Sequence, residues 1–281
     1  MLSSPQSAIN TLARRVSRLA AAGRLSSINR AVVLDTCGST QDEAHRLAAG
    51  VPGLLVTADR QEAGRGRLGR AWADTRGLGI AATFVLDASE RPAELVSLAC
   101  GLAACIVCER AWARGQHRTL AQGAQSRGVG LKWPNDVVEC AADSVPGRKL
   151  AGVLVERRGN LLLAGIGINI DQQAEDFPPE IHGKAASLRM IGANARRLTT
   201  LTDLALVLDA TLSLSRESIV AAWLSRDLVT GREATFEHDG QRFDGRVLSI
   251  QPLGEIEVRV AVASFARLPA LQTTMVPGTL R

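Results

Sequence analysis

Apolar and polar residues follow two different periods along the chain, which predicts a mixed α/β body and a β-rich tail. Short apolar runs bounded by turn residues predict strands, and apolar residues spaced three and four apart predict helices. The predicted strands of the body are Ala31–Leu34, Leu54–Ala58, Ile80–Leu86, Val129–Trp133, Leu150–Glu156 and Leu161–Ile168. The predicted helices are Ile9–Leu19, Gln41–Ala49, Ala93–Arg114, Leu201–Leu214 and Ile219–Leu224.

Local signals mark some boundaries of these elements. Thr40 and Glu43 have the spacing of a capping box at the start of the second helix. The turn Arg158-Gly159-Asn160 joins the last two strands of the body, and residues 115–130 and 171–197 are expected to be irregular.

The tail predicts a small all-β module. Its strands are expected at Glu233–Glu237, Gln241–Ile250 and Glu255–Val262, with His238-Asp239-Gly240 as a hairpin turn. These patterns divide the chain into a basic N-terminal arm at 1–30, an α/β body at 31–226 and a C-terminal β domain at 227–281.

The longest apolar stretch, Leu95–Cys108, is shorter than the roughly 20 residues that cross a bilayer. It predicts a buried helix, and no apolar segment with a cleavage site begins the chain. The 281 residues contain five cysteines, an odd number and few for this length, which excludes a disulfide scaffold. We expect a cytoplasmic protein that does not enter a membrane.

The net charge of +5 lies in the N-terminal arm. Residues 1–30 hold five arginines and no acidic residue, and the rest of the chain balances 28 acidic residues with as many basic ones. A nucleic-acid footprint across the whole fold is therefore not supported. The arm has the composition of a transit peptide, but a solvated helical arm or an over-long start is the favoured interpretation.

A glycine- and arginine-rich stretch, Gln61–Gly79, is the densest candidate for chemistry. Glycine lets the backbone approach a ligand closely, and the guanidinium group of arginine binds carboxylates and phosphates. The stretch suits an anionic ligand such as a nucleotide, although a solvated basic loop has the same composition. Gly64, Gly66 and Gly69 also match the dinucleotide-binding pattern, but no helix opens after them, so that interpretation fails.

Three shorter motifs combine turn residues with polar or charged side chains. Lys132–Asp136 presents an amide and a carboxylate after a strand, and a carboxylate beside a nucleotide can hold Mg²⁺. Lys149 stands at the start of an apolar strand, where its charge can stabilise a reacting carboxylate or α-phosphate. The glycines of Gly165–Asn169 allow close backbone packing. A plain turn, a solvent-facing lysine and a buried strand are the structural alternatives.

Other reactive residue types give no site. Cys105 and Cys108 lie in the apolar helix pattern without a second cysteine pair at metal spacing, which favours buried packing. The four histidines form no metal motif, Ser39 lacks a nucleophile-elbow context, and the absence of tyrosine excludes a tyrosine acid or base.

Taken in order, these motifs resemble those of the biotin–protein ligases. The resemblance rests on segments between residues 35 and 170: Ser39-Thr40, Gln61–Trp72, Lys132–Asp136, Lys149–Gly152 and Gly165–Asn169. It implies an α/β (α+β) fold, with a class II synthetase-like catalytic domain of mixed sheet and flanking helices and a small C-terminal SH3-like β-barrel. It also implies that biotin and ATP form biotinyl-5′-AMP with the help of Mg²⁺. The biotinyl group then passes to a lysine of a biotin carboxyl carrier protein, typically of acetyl-CoA carboxylase.

The resemblance assigns roles to individual positions. Lys149, Arg65 and Arg67 are expected to be catalytic, because they can offset the repulsion between a carboxylate and an α-phosphate. Asp136 is the expected metal-side carboxylate. The expected binding residues for biotin and nucleotide are Ser39, Thr40, Gln41, Gln61, Gly64, Arg65, Gly66, Arg67, Trp72, Asn135, Asp136, Lys149, Gly152 and Asn169.

Some positions depart from the family pattern. Leu68 stands where many members carry arginine, and Gln41 stands where asparagine is frequent. Residues 121–130 are interpreted as a loop extension. About 34 residues precede the catalytic pattern, which we expect to be too few for the winged helix-turn-helix of repressor members. We therefore expect the single-function ligase without specific DNA binding, and a homodimer stays open.

Two alternatives remain. A lipoate–protein ligase shares the implied fold, but its paired arginines followed by three glycines are missing here. A non-catalytic biotin-binding protein or a DNA-binding regulator is the alternative from another class. Lys149, Arg65 and Asp136 favour the enzyme.

Overall fold

The structure is a computed structural model that describes residues 5–119, 128–140, 145–261, 264–276 and 279–280. In this part of the chain there are five α-helices: α1 Pro5–Ala21, α2 Thr40–Ala48, α3 Ala93–Thr119, α4 Arg197–Leu212 and α5 Arg216–Leu224. The strands of the body are β1 Arg30–Cys37, β2 Leu54–Gln61, β3 Gly79–Asp87, β4 Gly128–Lys132, β5 Asp136–Cys140, β6 Pro146–Arg158 and β7 Leu161–Asn169. The strands of the tail are β8 Glu233–His238, β9 Gln241–Ile250, β10 Glu255–Ala261, β11 Ser264–Pro269 and β12 Thr273–Met275.

The body is built on one mixed seven-stranded sheet in the order β1-β2-β3-β7-β6-β5-β4. The β1–β2 pair is parallel and the other pairs are antiparallel. Strands β3 and β7 lie near the centre and are covered on both faces, which explains why their sequences are almost continuously apolar. This confirms the expected mixed α/β class.

Side chains on β7 alternate between two layers of the fold. The even-numbered residues of Leu162–Ile168 join the main core with α3, whereas Leu161 and Leu163 pack with α2 on the opposite face. Gly165 and Gly167 therefore lie on the α2 face. They leave a groove in the sheet surface beside that helix.

Helix α3 covers the core face of the sheet. It extends five residues beyond the predicted end at Arg114, so the N-terminal part of the predicted 115–130 loop is helical, and residues 120–127 lie outside the described part. Its segment Ala93–Gly115 is long and apolar enough to cross a membrane, yet 72% of its most apolar stretch is buried inside the protein. Cys105 and Cys108 are completely buried there, as expected from packing.

Helix α1 is not a solvated arm, which corrects the interpretation favoured from the sequence. Leu12 and Val16 are 2% and 0% exposed, and the helix packs against β1 and α4. The segment after α1 is anchored by Asp209, whose carboxylate accepts hydrogen bonds from the backbone N–H groups of Ser26 and Ser27. The spacing of apolar residues predicted the helix but did not reveal its partner.

Several predicted boundaries shift. Helix α2 is capped by Ser39, whose hydroxyl accepts a hydrogen bond from the Gln41 N–H, rather than by a capping box at Thr40. Strand β5 was not predicted, because Asp136–Cys140 has too few apolar residues to stand out. The proposed end of the third tail strand at Val262 lies outside the described residues.

The tail forms an antiparallel five-stranded sheet in the order β11-β10-β9-β8-β12. Within the described residues β11 and β12 do not pair, so the sheet is not closed into a barrel. It packs on the body through Trp133 and Phe236, whose rings meet edge to face with centroids 6.5 Å apart. Both side chains are fully buried, so the tail and the body share one core.

Candidate active site

A cleft of about 480 Å³, measured with its open mouth, lies on the α2 face of the sheet. Its floor is made by β6 and β7 and its rim by the Gly/Arg loop between β2 and β3. The cleft is lined by Ser39, Thr40, Gln41, Gln61, Arg65, Gly66, Arg67, Trp72, Ala81, Ala82, Asn135, Lys149, Gly152, Val153, Leu154, Gly165, Ile166 and Gly167.

Trp72 lies on a floor made by two glycines. Gly152 and Gly167 are paired across β6 and β7, so they share one face of the sheet. A Cβ atom on Gly167 would lie 2.4 Å from Trp72 Cζ2, and one on Gly152 would lie 3.1 Å from Cζ3. Only glycine leaves room for the indole in this position. Lys149 Nζ stands 5.4 Å from the ring centroid, within cation–π range.

The uncharged end of the cleft is held by hydrogen bonds around the start of α2. Gln61 Oε1 accepts hydrogen bonds from the Thr40 N–H at 2.8 Å and from the Thr40 hydroxyl at 2.9 Å. Thr83 Oγ1 supports this pair by donating to Thr40 Oγ1 at 3.0 Å. Gln61 therefore keeps its Nε2 donor for a ligand.

Further hydrogen bonds of Gln41 and Asp74 hold the uncharged end of the cleft in place. Gln41 Nε2 donates to the carbonyl groups of Leu154 and Leu163, which leaves its Oε1 atom as an acceptor for a ligand. Asp74 accepts a hydrogen bond from the Gln61 N–H at 2.7 Å and so ties a later part of the Gly/Arg loop to the end of β2. Burial raises the pKa of Asp74, although this hydrogen bond and the charge of Arg197 act to lower it.

The Gly/Arg loop folds back on itself through its own backbone. The Trp72 N–H donates to the Gly64 carbonyl at 2.8 Å, and the Gly66 N–H donates to the Arg70 carbonyl at 2.7 Å. Leu68 at the tip has φ +54° and a side chain that is 58% exposed. The departure from the family pattern therefore places an apolar side chain at the rim of the cleft.

Arg65 is already paired with carboxylates. Its Nη1 and Nη2 atoms lie 2.6 and 3.0 Å from the two oxygens of Asp42, and Glu156 Oε2 is 3.4 Å from Nη2. Arg158 bridges the same two carboxylates at 3.0 Å each. The hydrogen bond with Asp42 raises the pKa of Arg65 and lowers that of Asp42. Arg65 thus ties the loop to α2 and β6.

Arg67 has a different environment. Its guanidinium donates to the Ala270 carbonyl and, at 3.4 Å, to Asn135 Oδ1. In the described part of the chain no carboxylate forms an ion pair with it. Burial lowers the pKa of Arg67, while the charge of Asp136 acts against this shift. A half-buried cation without a counter-ion favours an anionic ligand.

Asp136 and Lys149 meet at the charged end of the cleft. Asp136 Oδ1 lies 2.6 Å from Lys149 Nζ, but it is buried and has no aligned hydrogen bond, so the contact depends on charge. Asn135 Nδ2 donates to the Val153 carbonyl at 2.7 Å and thereby fixes the turn before Asp136. Among the residues that the structure describes, no three carboxylate, histidine or cysteine side chains converge as a metal site.

The structure brings most of the predicted site residues together. Eleven of the fourteen expected binding residues line the cleft; Gly64, Asp136 and Asn169 do not. Gly64 supports the Trp72 backbone, and Asp136 lies behind Lys149. Asn169 is 4% exposed and donates to the Ala186 carbonyl at 3.0 Å, so it supports the strand end rather than facing the cleft.

Sequence reasoning missed the residues that position this set. Asp42 and Glu156 are 23 and 91 residues from Arg65 along the chain, and no motif marked them. Asp74 lay inside the Gln61–Gly79 stretch, but it had no assigned role. Ala270 contributes only a backbone carbonyl, which no side-chain pattern can reveal. Lys132 lay inside a quoted motif, but it had no assigned role.

Comparison with known proteins agrees with this architecture. Residues 33–173, half of the chain, match the model of the biotin/lipoate A/B protein ligase family. The chain is 36% identical over 161 residues to the bifunctional ligase/repressor BirA of Bacillus subtilis, covering 55% of this chain and 44% of that protein. It is 33% identical over 169 residues to the biotin–[acetyl-CoA-carboxylase] ligase of Mycobacterium tuberculosis, covering 58% of this chain and 56% of that one. The chain thus matches about half the length of these relatives.

Solved structures establish the same fold. Biotin protein ligase from Aquifex aeolicus in complex with biotin and ATP superposes with a TM-score of 0.68 at 24% identity, over 88% of this chain and 98% of the other. The Leishmania major ligase in complex with biotinyl-5-AMP gives a TM-score of 0.54 at 24% identity, over 85% and 98% of the two chains. Fold and family match together show that the chain belongs to the biotin/lipoate A/B protein ligase family.

Proposed function

We propose that this protein is a biotin–[biotin carboxyl-carrier protein] ligase. In the first step biotin and ATP form biotinyl-5′-AMP and pyrophosphate in the cleft. In the second step the biotinyl group passes to one lysine of a biotin carboxyl carrier protein, such as that of acetyl-CoA carboxylase. The curated relatives that carry this activity in their names support the proposal.

The observation that carries the proposal is the polarity of the cleft from one end to the other. Thr40, Gln41 and Gln61 offer uncharged donors and acceptors at one end, whereas Arg67 and Lys149 supply positive charge at the other. Small apolar residues and glycines lie between them. Biotin has a neutral ureido group, an apolar chain and a carboxylate, so its polarity runs in the same order.

The first step is a displacement at phosphorus. A carboxylate oxygen of biotin bonds to the α-phosphorus of ATP while the bond to the bridging oxygen breaks, and pyrophosphate leaves with the electron pair. Arg67 and Lys149 stabilise the negative charge that collects on the α-phosphate. Trp72 provides a flat surface for the nucleotide base. Gly152 and Gly167 determine how closely the indole ring lies to the sheet.

The second step needs no covalent enzyme intermediate. The acceptor lysine amine attacks the acyl carbon, its bond to the phosphate oxygen breaks, AMP leaves with that electron pair, and the amine loses a proton to solvent. The Gly/Arg loop excludes water from the mixed anhydride before the acceptor arrives. In this scheme the ion pairs of Arg65 with Asp42 and Glu156 anchor the Gly/Arg loop, and Arg65 does not contact the phosphate.

The residues at Asp136 fit a magnesium ion bound together with the nucleotide. Magnesium commonly binds through one or two carboxylates plus substrate phosphates, and Asp136 Oδ1 is a buried carboxylate oxygen without an aligned hydrogen bond. When bound, the ion would shield the phosphate charge. Asp136 itself would hold the ion and keep the Lys149 ammonium group in place through their 2.6 Å contact.

We further propose the finer features implied by the family. The C-terminal sheet at 227–281 is an SH3-like module beside a catalytic domain at 31–226, with residues 1–30 preceding it. The protein acts in the cytoplasm as a single-function ligase without specific DNA binding, and sheet edges offer a route to a homodimer.

Biotin-dependent exchange of pyrophosphate into ATP tests the proposed function. We expect purified protein to catalyse exchange with biotin and not with lipoate. Exchange with lipoate alone would support adenylation but would refute the assignment of biotin as the substrate. Absence of exchange with either acid, in protein shown to be folded by circular dichroism, would refute the ligase.

A further inference from the structure

Lys132 is a charged residue beside the cleft that the chemistry above does not use. It is the last residue of β4, before Trp133, and it stands directly opposite Asp136 in the antiparallel β4–β5 pair. Among the described residues its side chain forms neither a hydrogen bond nor an ion pair. Burial lowers its pKa and Lys149 adds to this shift, while the charge of Asp136 opposes it. The protein therefore keeps a half-buried cation without a close partner.

The strand register places Lys132 in line with the reacting groups. One row of paired residues crosses the sheet from Gly167 to Gly152, then to Asp136, and ends at Lys132. Directly paired residues share one face of a sheet, so all four face the side on which Trp72 lies. Since neighbouring strands are about 4.8 Å apart, Lys132 lies about 14 Å from Gly167 at the backbone.

The order of side chains along this row matches the order of groups in ATP, with the base at Trp72 and the phosphate chain running towards Lys132. The indole of Trp72 covers Gly152 and Gly167, Lys149 stands beside the indole and contacts Asp136, and Lys132 comes next outward. A phosphate chain that starts at Lys149 and runs away from Trp72 would pass Asp136 and reach Lys132.

The charges around Asp136 and Lys132 favour the binding of a polyanion. Asp136 is the carboxylate shared by Lys132, Lys149 and Arg67, each of which feels its charge. These three cations and the one carboxylate have a combined charge of +2. A pyrophosphate group, with or without a magnesium ion, is the part of the reaction that supplies the matching negative charge.

We propose that Lys132 binds the β- and γ-phosphates of ATP and stabilises the pyrophosphate that leaves in the first step. This inference rests on the proposed function, because it divides that reaction between Lys149 at the α-phosphate and Lys132 at the leaving group. Lys132 then has no part in the second step, since pyrophosphate has already left.

Substitution of Lys132 in the full-length protein tests this division. We expect Lys132→Gln to raise the KM for pyrophosphate in the reverse reaction, and the KM for ATP in the forward one, by about tenfold to a hundredfold, the size expected for a lost charge-assisted hydrogen bond. Lys132→Arg restores most of the loss. Transfer from chemically made biotinyl-5′-AMP to the acceptor lysine stays within about twofold of the wild type.

Lys184→Gln is the matched control. Lys184 is exposed, and among the described residues its ammonium group contacts only the Glu180 carbonyl at 3.1 Å. Its substitution removes the same charge from a side chain that does not line the cleft. We expect this variant to keep wild-type constants for pyrophosphate. If Lys132→Gln unfolds, Lys132→Met keeps the aliphatic stem and takes its place in the same assays.

The outcomes separate this inference from the function on which it rests. An unchanged KM for pyrophosphate in a folded Lys132 variant overturns the assignment of Lys132, while exchange by the wild type keeps the ligase. An equal loss in both half-reactions also overturns it, because a structural role would lower both. Absence of biotin-dependent exchange by the wild type would refute the ligase itself.

Discussion

The glycine floor gives the sharpest prediction about the cleft. A Cβ atom added at Gly167 would lie 2.4 Å from Trp72 Cζ2, whereas ordinary carbon–carbon contacts begin near 3.5 Å. In Gly167→Ala the indole must therefore shift by about 1 Å, and a 1 Å misplacement near reacting groups can cost about a hundredfold in rate. We expect kcat/KM for ATP to fall by about this factor, which corresponds to about 2.7 kcal/mol. Overpacking lowers the free energy of unfolding by about 1–3 kcal/mol.

The assay follows biotin-dependent pyrophosphate exchange as a function of ATP concentration, together with urea unfolding. Gly254→Ala is the control, because a Cβ there has no neighbour within 4 Å and the glycine has no left-handed φ. We expect wild-type exchange and stability in the control. Wild-type kcat/KM for ATP in folded Gly167→Ala would refute the packing of Trp72 on this floor.

Three further substitutions test other parts of the account. Lys149→Ala should abolish adenylate formation with little change in the urea midpoint; wild-type turnover would remove Lys149 from the mechanism. Arg67→Ala should release biotinyl-5′-AMP faster than the wild type in a filter-retention assay, and unchanged retention would contradict its place at the anion. Asp209→Ala should lower the free energy of unfolding by about 2–4 kcal/mol, because it removes the hydrogen bonds that a buried carboxylate accepts from the Ser26 and Ser27 N–H groups. Asp203→Ala on the same helix, which loses only a 3.8 Å surface pair, should cost under about 1 kcal/mol.

The centre of the fold could be predicted from the sequence because its signals are local. Strands β3 and β7 are apolar runs of strand length, and α3 has an apolar segment bounded by charges, so each element shows its own period. The cleft could also be located, since Gln61, Lys149 and Gly165 lie in motifs whose order identifies a family.

The remainder depends on contacts between distant parts of the chain. The pairing of Arg65 with Asp42 and Glu156 spans 23 and 91 residues, and no local pattern encodes it. The docking of α1 depends on Asp209, which is 183 residues from Ser26. Tertiary packing decides such contacts. The sequence therefore did not reveal the carboxylate partners of Arg65, and it favoured a solvated arm where one face of α1 packs against the body.

Identification of the nucleotide bound after incubation with biotin, ATP and magnesium tests most directly whether the cleft makes an adenylate. Protein freed of excess substrate by gel filtration would be denatured and its small molecules analysed by mass spectrometry. We predict biotinyl-5′-AMP from the wild type and none from Lys149→Ala. Recovery of unreacted biotin and ATP alone from the wild type, or of an adenylate with lipoate but not with biotin, would contradict the account.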